Sequence, residues 1–282
     1  MKKILVPTDF SQPAQWALET AIPIARKIKA EIILLHIVEQ AINESFNVEG
    51  EVASGGELED KLFTLKLIQK EKQQLAEACN LVEEYGIPVK PKLRLGNPFH
   101  GIQAIIAEHD VDLVVMGTSG HTKIEEMLVG SNTEKVVRKA RCPVLAVHHK
   151  PSGKDFNNIV YASSLSENEK SFAEVVRDVQ EIFNATIHLV RINTPLNFQP
   201  DYLVRVALKS FARKIRLQKY TINSYSDQTE EEGILHFASD INADLIVMAT
   251  HGRTGFARVL AGSIAEDVVV QSALPVLTSL TG

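Results

Sequence analysis

The chain contains two copies of one sequence segment, and this repetition constrains its fold more than any other feature. Residues 96–147 align without a gap on residues 228–279, and about a third of the aligned positions are identical. The fronts of the two copies also match at a different offset, because Lys3-Ile4-Leu5-Val6 aligns with Asn158-Ile159-Val160-Tyr161. A repeat of this length is a whole domain rather than one turn of a solenoid. The sequence therefore predicts two similar domains that differ in length in their middle segments.

The boundary between the two domains is predicted in a polar stretch broken by proline and glycine, near residues 149–157. The chain of 282 residues is long enough for two domains of ordinary size. We therefore expect one domain over residues 1–149 and a second over residues 157–282.

The charge and composition exclude several classes of function. The net charge is -5, and neither half has the basic excess that a nucleic-acid-binding protein carries. The only cysteines, Cys79 and Cys142, lie in the first half, so a disulfide framework is not expected and a reducing, cytoplasmic location fits. The sequence has no run of 18 apolar residues, so we expect no membrane partner.

Each copy alternates between strand and helix patterns. In the first copy, short apolar runs predict buried strands over 4–6, 32–38, 89–95, 111–116 and 144–148. Helical periodicity predicts a helix that begins after the N-cap Ser11, and further helices over 58–85, 99–108 and 132–140. Strands that alternate with helices indicate an α/β fold in which a parallel sheet is covered on both faces.

The most informative motif follows the predicted strand that ends at Met116. Gly117 and Gly120 allow a tight turn and a close approach of the backbone to a ligand. After nine intervening residues, Gly130 and Ser131 open the next predicted helix, whose free N–H groups and positive dipole end suit a phosphate. Each glycine taken alone is explained equally well by a simple turn. The combined spacing, strand and helix favour an anion site.

Two polar residues are expected to face this motif. Thr8 and Asp9 follow the first strand, and ligands of open α/β sheets bind at the carboxyl ends of the strands. The polar loop over 39–57 follows the second strand, so we expect it near the same crevice, where it would serve as a lid.

These motifs resemble the universal stress proteins. The pattern Gly-x2-Gly-x9-Gly-Ser stands between an Asp-Leu-Val-Val-Met strand and Cys-Pro-Val-Leu, and the opening Ile-Leu-Val-Pro-Thr-Asp is also similar. The resemblance covers nearly the whole chain as two tandem copies. It implies two tandem Rossmann-like domains, each a five-stranded parallel sheet with helices on both faces. Many members of this family bind ATP.

The resemblance also implies which residues of the first copy hold an adenine nucleotide. The matching positions are Pro7, Thr8, Asp9 and Ile37 for adenine and ribose; Met116, Gly117 and Gly120 for ribose and phosphates; and Gly130, Ser131 and the backbone of Asn132 for phosphates. Tandem members pair their domains through the last strands, which would place Val144–His148 beside Val276–Leu280. A homodimer of the whole chain stays possible.

The second copy departs from this pattern. Ala249 stands where Gly117 stands, Ser164 replaces Asp9, and Ala162 replaces Pro7. The positions that remain are Gly252, Gly262 and Ser263. We expect this degenerate site to bind nucleotide weakly or not at all, because an Ala Cβ obstructs the phosphates and the carboxylate is gone. Alternatively, the phosphate half survives and binds another anion.

The sequence leaves three functions open. The first is a nucleotide-dependent binding module of the stress response that takes ATP, with or without Mg²⁺, in the first domain. No nucleophile–base pair appears at a recognisable spacing, so efficient catalysis is not predicted. The second is a slow ATPase that uses Asp9, and the third is a scaffold with a vestigial site.

Overall fold

The fold is described by a computed structural model, which covers residues 1–39, 57–118, 130–153, 155–165, 169, 172–251 and 264–281. Strands and helices alternate along both halves. The first half contains β1 (Lys3–Thr8), α1 (Gln12–Ile28), β2 (Glu31–Val38), α2 (Glu57–Glu84), β3 (Val89–Leu95), α3 (Pro98–His109), β4 (Leu113–Gly117), α4 (Ser131–Lys139) and β5 (Val144–Val147). The second half contains β6 (Asn158–Ala162), α5 (Phe172–Phe183), β7 (Thr186–Asn193), α6 (Asp201–Lys214), β8 (Tyr220–Ser226), α7 (Glu230–Asp240), β9 (Leu245–His251), α8 (Ile264–Gln271) and β10 (Val276–Thr281).

The ten strands form one continuous sheet in the order β3-β2-β1-β4-β5-β10-β9-β6-β7-β8. All pairs inside each half are parallel, which confirms two five-stranded parallel halves with α/β topology. The halves join through β5 and β10, which run antiparallel with Leu145 opposite Leu277. The expected pairing of the last strands is therefore confirmed. Strands β5 and β10 would each be an edge strand in an isolated half. Here they pair with each other, so the backbone groups of neither edge are left unpaired.

Both faces of the sheet are covered by a layer of helices. Strand residues alternate between the faces, so Ile4 packs under α1 and α2 while its neighbour Leu5 packs under α3 and α4. In the second half, Ile159 and Val160 divide between the same two layers. Each apolar layer thus runs without interruption through both halves.

The ends of the first elements follow from local chemistry. The side chain of Ser11 caps α1 by accepting from the backbone N–H of Ala14, as expected, and Pro13 occupies the first turn. The strand expected over 111–116 is wrong at its start, since β4 begins at Leu113. Asp112 instead uses its carboxylate to accept from the backbone N–H groups of Lys2 and Lys3, which holds the loop before β4 against β1. The loop expected over 39–57 falls, except for its two end residues, outside the described part of the chain.

A partly buried ion pair links the two halves on one face of the sheet. Arg138 of α4 donates from Nε to Glu266 of α8 at 2.8 Å, and its Nη2 bonds to the second carboxylate oxygen of Glu266. The Glu266 side chain is 8% exposed, whereas that of Arg138 is half exposed. This bidentate geometry links the two helices that follow the glycine motifs of the two copies.

Candidate functional site

The candidate site of the first half lies where the strand order reverses. Strands β2 and β3 extend from one side of β1 and β4 lies on its other side, so the crevice opens between β1 and β4 at their carboxyl ends. The end of β1 brings Pro7 and Thr8 to this edge, and the end of β4 brings Met116 and Gly117. The structure therefore places these four expected site residues on adjacent strands.

The turn after β1 fixes the carboxylate of Asp9. The Asp9 Oδ1 atom accepts from the backbone N–H of Ser11 at 3.0 Å and from its hydroxyl at 2.5 Å. Between them, Phe10 has a φ of 61°, and its N–H donates to the Thr8 hydroxyl at 3.0 Å. A left-handed backbone at a phenylalanine costs of order 1–3 kcal/mol, so the surrounding hydrogen bonds hold a strained turn. Such strain is common at ligand-binding sites.

His36 supports this turn from the neighbouring strand. It is buried, its Nδ1 lies 2.7 Å from the carbonyl oxygen of Thr8, and its Nε2 lies 3.4 Å from Glu71 of α2. The ring also packs on Phe10, with 4.5 Å between ring centroids. The sequence analysis assigned no role to His36. The available signal was one polar side chain inside the apolar run of β2.

Gly117 has a packing role as well as its place in the crevice. A Cβ on Gly117 would lie 2.5 Å from the carbonyl carbon and 2.6 Å from the carbonyl oxygen of Pro13. The first turn of α1 therefore packs directly on the end of β4, and only glycine fits between them.

The start of α4 lies at the end of β4. Gly130 caps the helix without a side-chain hydrogen bond, and its N–H donates to the Thr118 carbonyl at 2.5 Å. The Thr133 hydroxyl donates to the Gly117 carbonyl at 2.9 Å, so the helix start is fixed to the end of β4. In the described part of the chain, the N–H groups of Ser131 and Asn132 have no acceptor. Free N–H groups at a helix start favour an anion.

The remaining expected residues are placed as follows. Ile37 of β2 packs beside the same crevice against α3, where a Cβ on Gly101 would lie 2.6 Å from its Cδ1. Ser131 and Asn132 occupy the first turn of α4. Gly120 lies outside the described residues, so its role stays a prediction. In the described part of the chain, no group of three or more His, Cys, Asp or Glu side chains could hold a metal ion.

Comparison with known proteins agrees with this geometry. The sequence pattern of the universal stress protein family matches residues 1–148 and again residues 155–279. The chain belongs to the universal stress protein family. Its exact domain boundaries, at 149 and 157, stay a prediction.

Individual relatives of this universal stress protein match it over one half or over both. One universal stress protein of Methanocaldococcus jannaschii is 35% identical over 54% of this chain and 97% of its own length. A second from the same organism is 32% identical over 52% of this chain and 81% of its own length. The crystal structure of a universal stress protein from Archaeoglobus fulgidus has a TM-score of 0.78 at 20% identity, covering 99% of this chain and 98% of that one. The last similarity extends the shared fold to both halves.

The second universal stress domain contains a carboxylate that its sequence alignment does not reveal. Ser164 stands at the position of Asp9, but its N–H and hydroxyl both donate to Glu169, at 3.0 and 2.5 Å. Ser163 and Tyr161 donate to the other oxygen of Glu169, at 2.5 and 3.1 Å. Glu169 is 1% exposed, and burial, followed by the Glu169 charge, raises the pKa of Tyr161. The expectation that this end of the crevice lacks a carboxylate is therefore wrong.

The turn after β6 otherwise reproduces the turn after β1. Leu165 has a φ of 63°, and its N–H donates to the Ser163 hydroxyl at 3.0 Å, as Phe10 does to Thr8. The two halves thus share the strained backbone but supply its carboxylate from different positions in the chain.

Ala249 lies on β9, at the position that Gly117 takes on β4. The residue that aligns with Pro13 lies outside the described residues. Of the other second-site positions, Gly252, Gly262 and Ser263 lie outside the described residues.

A cavity of about 480 Å³ occupies the crevice of the second domain. Its apolar wall is formed by Val190, Ile192, Ile234, Met248, Ala249 and Ile264. Ser163, Ser164, Glu169, Arg191, Asn197 and Glu230 supply polar groups. The second crevice is thus open to a small molecule, although its lining differs from that of the first.

None of the helices in the described part of the chain is long and apolar enough to cross a membrane.

Proposed function

We propose that this protein binds ATP in its first domain and acts as a nucleotide-dependent binding module of the stress response. The observation that carries the proposal is the start of α4, where Ser131 and Asn132 occupy the first turn of a helix that follows β4 at the switch point of the sheet. A triphosphate that accepts from the N–H groups of these residues also meets the positive end of the helix dipole.

The other end of the crevice suits the nucleoside part of ATP. The fixed carboxylate of Asp9 is an acceptor for ribose hydroxyls or for an adenine amino group, and Ile37 offers an apolar contact to the base. Membership of a family in which many proteins bind ATP supports this assignment. Mg²⁺ would enter with the triphosphate, held by phosphate oxygens, because the described residues include no ready cluster of metal ligands.

The test is a calorimetric titration of Mg²⁺–ATP into the wild-type protein and a Gly130→Val variant. Gly130 has φ -59° and ψ 137°, which a valine also adopts, so the substitution adds a side chain at the helix start without straining the backbone. We expect one ATP to bind per chain in the first domain of the wild type, and binding to weaken by at least about tenfold in the variant, about 1.4 kcal/mol.

Two further measurements separate this function from the alternatives. Phosphate release that Asp9→Ala abolishes would support slow ATP hydrolysis in addition to binding. If the wild type binds no ATP, the nucleotide function is wrong and a scaffold with a vestigial site is favoured.

A further inference from the structure

His36 is a polar residue in an otherwise apolar stretch of β2, residues 32–38. It is 8% exposed, and its register partner on β1 is Thr8, the residue before Asp9. A buried imidazole is unfavourable unless its nitrogen atoms find polar partners. The partners of His36 therefore indicate what this side chain holds in place.

The Nδ1 atom of His36 fixes the peptide bond that precedes Asp9. It lies 2.7 Å from the carbonyl oxygen of Thr8, and because a carbonyl oxygen only accepts, Nδ1 carries the proton and donates. The same imidazole ring packs on Phe10, the residue with the positive φ. His36 thus contacts the turn on both sides of Asp9.

Glu71 holds the other side of the imidazole ring. One of its carboxylate oxygens lies 3.4 Å from Nε2 of His36, and the two side chains are only 14% and 10% exposed. Glu71 stands one helical turn before Leu75, on the side of α2 that also buries Cys79 and Val82. A carboxylate in such an apolar stripe is costly unless it has a partner. The contact with His36 therefore explains the position of Glu71.

The second domain holds the equivalent turn in another way. Arg191 stands at the position of His36, and it donates to the carbonyl of Asn197. The turn is held instead by Glu169, which accepts four hydrogen bonds from the end of β6 and the residues after it. A largely buried carboxylate thus supports the turn in both domains, directly in the second and through an imidazole in the first.

We propose that Glu71 and His36 are positioning residues that hold the turn around Asp9 in the form that binds the nucleoside part of ATP. His36 sets the peptide bond between Thr8 and Asp9, and Glu71 orients the ring that carries the donor. A turn that is ordered before its ligand arrives loses less conformational entropy on binding. The inference rests on the ATP function proposed for the first domain, so its experiment includes a measurement that does not need ATP.

That measurement is the amide hydrogen exchange of the turn in the ligand-free protein. The N–H of Phe10 donates to the Thr8 hydroxyl, and the N–H of Ser11 donates to the Asp9 carboxylate. Their protection against exchange therefore reports the formed turn. The N–H of Leu165, in the equivalent turn of the second domain, is the internal control.

Two substitutions at His36 separate the donor from the ring. His36→Phe keeps an aromatic ring against Phe10 but has no donor, whereas His36→Asn loses the ring and keeps an N–H donor. We expect His36→Phe to speed exchange of the Phe10 and Ser11 amides by about tenfold, and to weaken Mg²⁺–ATP binding in calorimetry by about tenfold, the effect of one buried hydrogen bond. His36→Asn should stay within about threefold of the wild type in both measurements, since the donor is restored. Exchange at Leu165 should not change in either variant.

A second pair of variants tests Glu71. Glu71→Leu continues the apolar stripe of α2 and leaves the His36 ring without its carboxylate, whereas Glu77→Leu makes the same change at an exposed position of the same helix. We expect Glu71→Leu to speed exchange of the Phe10 amide and to weaken ATP binding, each by at least about threefold, and Glu77→Leu to do neither. Urea unfolding of every variant establishes that it is folded.

Two results would overturn the proposal. One is unchanged exchange of the Phe10 and Ser11 amides in His36→Phe, and the other is an equal loss in His36→Phe and His36→Asn. If the wild type binds no ATP, the proposed function fails, and the exchange measurement still decides whether Glu71 and His36 hold the turn. If ATP binds equally to the wild type and to His36→Phe, the proposed function stands and the positioning role is wrong.

Discussion

At the scale of single residues, Gly117 and Ala249 occupy equivalent positions with different surroundings. Because a Cβ at Gly117 would meet the backbone of Pro13 at 2.5 Å, we expect Gly117→Ala to lower the free energy of unfolding by about 1–3 kcal/mol. The matched change Ala249→Gly removes a Cβ that the second domain accommodates, so its cost stays below about 1 kcal/mol. Urea unfolding measures both values. Equal effects would show that Gly117 is not needed for helix packing.

Glu169 is a second single residue on which stability is expected to depend, because it accepts hydrogen bonds from the end of β6 and the turn after it. Glu169→Ala leaves the Tyr161 hydroxyl, the Ser163 hydroxyl and both donors of Ser164 without their acceptor. We expect a loss of about 2–3 kcal/mol in the free energy of unfolding, because unpaired buried donors pay their desolvation cost in full. Glu174→Ala, at a side chain that is 78% exposed, is the control and should change stability by less than about 0.5 kcal/mol. A similar loss in both variants would contradict this role.

These residues also show where sequence reasoning reaches its limit. Thr8, Asp9 and Met116 could be placed at the crevice because they end strands, and parallel strands end at one edge of a sheet. Glu169 could not be found in this way, since the alignment pairs it with Ala14 and its carboxylate arrives from a different position in the chain. A contact set by tertiary packing leaves no periodic signal in the sequence.

At the scale of elements, a pH-sensitive group follows directly after β5, the strand that pairs with the second domain. Burial, and then the neighbouring charge of His149, lower the pKa of His148 from 6.5 to about 4. Its Nδ1 lies 2.9 Å from the Thr118 hydroxyl, at the end of β4. Between pH 6.5 and 4 the unfolded chain binds a proton that the folded protein does not, so stability is lost as the pH falls through this window.

We expect this loss to reach about 2 kcal/mol at pH 5 relative to pH 7.5. The matched variant is His148→Leu, because leucine stands at the equivalent position 280 of the second copy. Urea unfolding as a function of pH should give the wild type a steeper decline than the variant by that amount. Parallel profiles for the two proteins would show that His148 titrates normally.

The elements were predictable to different degrees. The N-cap of α1 followed from Ser11 and Pro13, whose chemistry is local. The start of β4 did not, because Val111 continues the apolar pattern of the strand, whereas the Asp112 side chain bonds to the backbone at the start of β1. The pattern of apolar and polar residues indicates which segments are buried. It does not show where a side-chain contact, such as that of Asp112, ends the pairing between strands.

At the scale of the whole molecule, the repeat in the sequence predicted two domains, and resemblance supplied their pairing. The antiparallel register at Leu145 and Leu277 was not predictable, since both last strands are short. The pairing of β5 with β10 does more than bring two domains into contact. It makes the two apolar layers continuous between the halves, so that Leu34 and Leu189 belong to one core.

A shared core predicts that the two halves unfold together. Trp16, the single tryptophan, lies in α1 and reports the first half, with its ring 6.4 Å from that of His149. Leu189 is fully buried in the second half, so Leu189→Ala should cost about 2–5 kcal/mol. Because β5 pairs with β10, unfolding of the second half would leave β5 as an exposed edge strand and would expose the core of the first half. We therefore expect the urea midpoint of Trp16 fluorescence to fall together with that of far-ultraviolet circular dichroism. An unmoved Trp16 transition beside a biphasic dichroism curve would mean that the halves are stable separately, despite the continuous sheet.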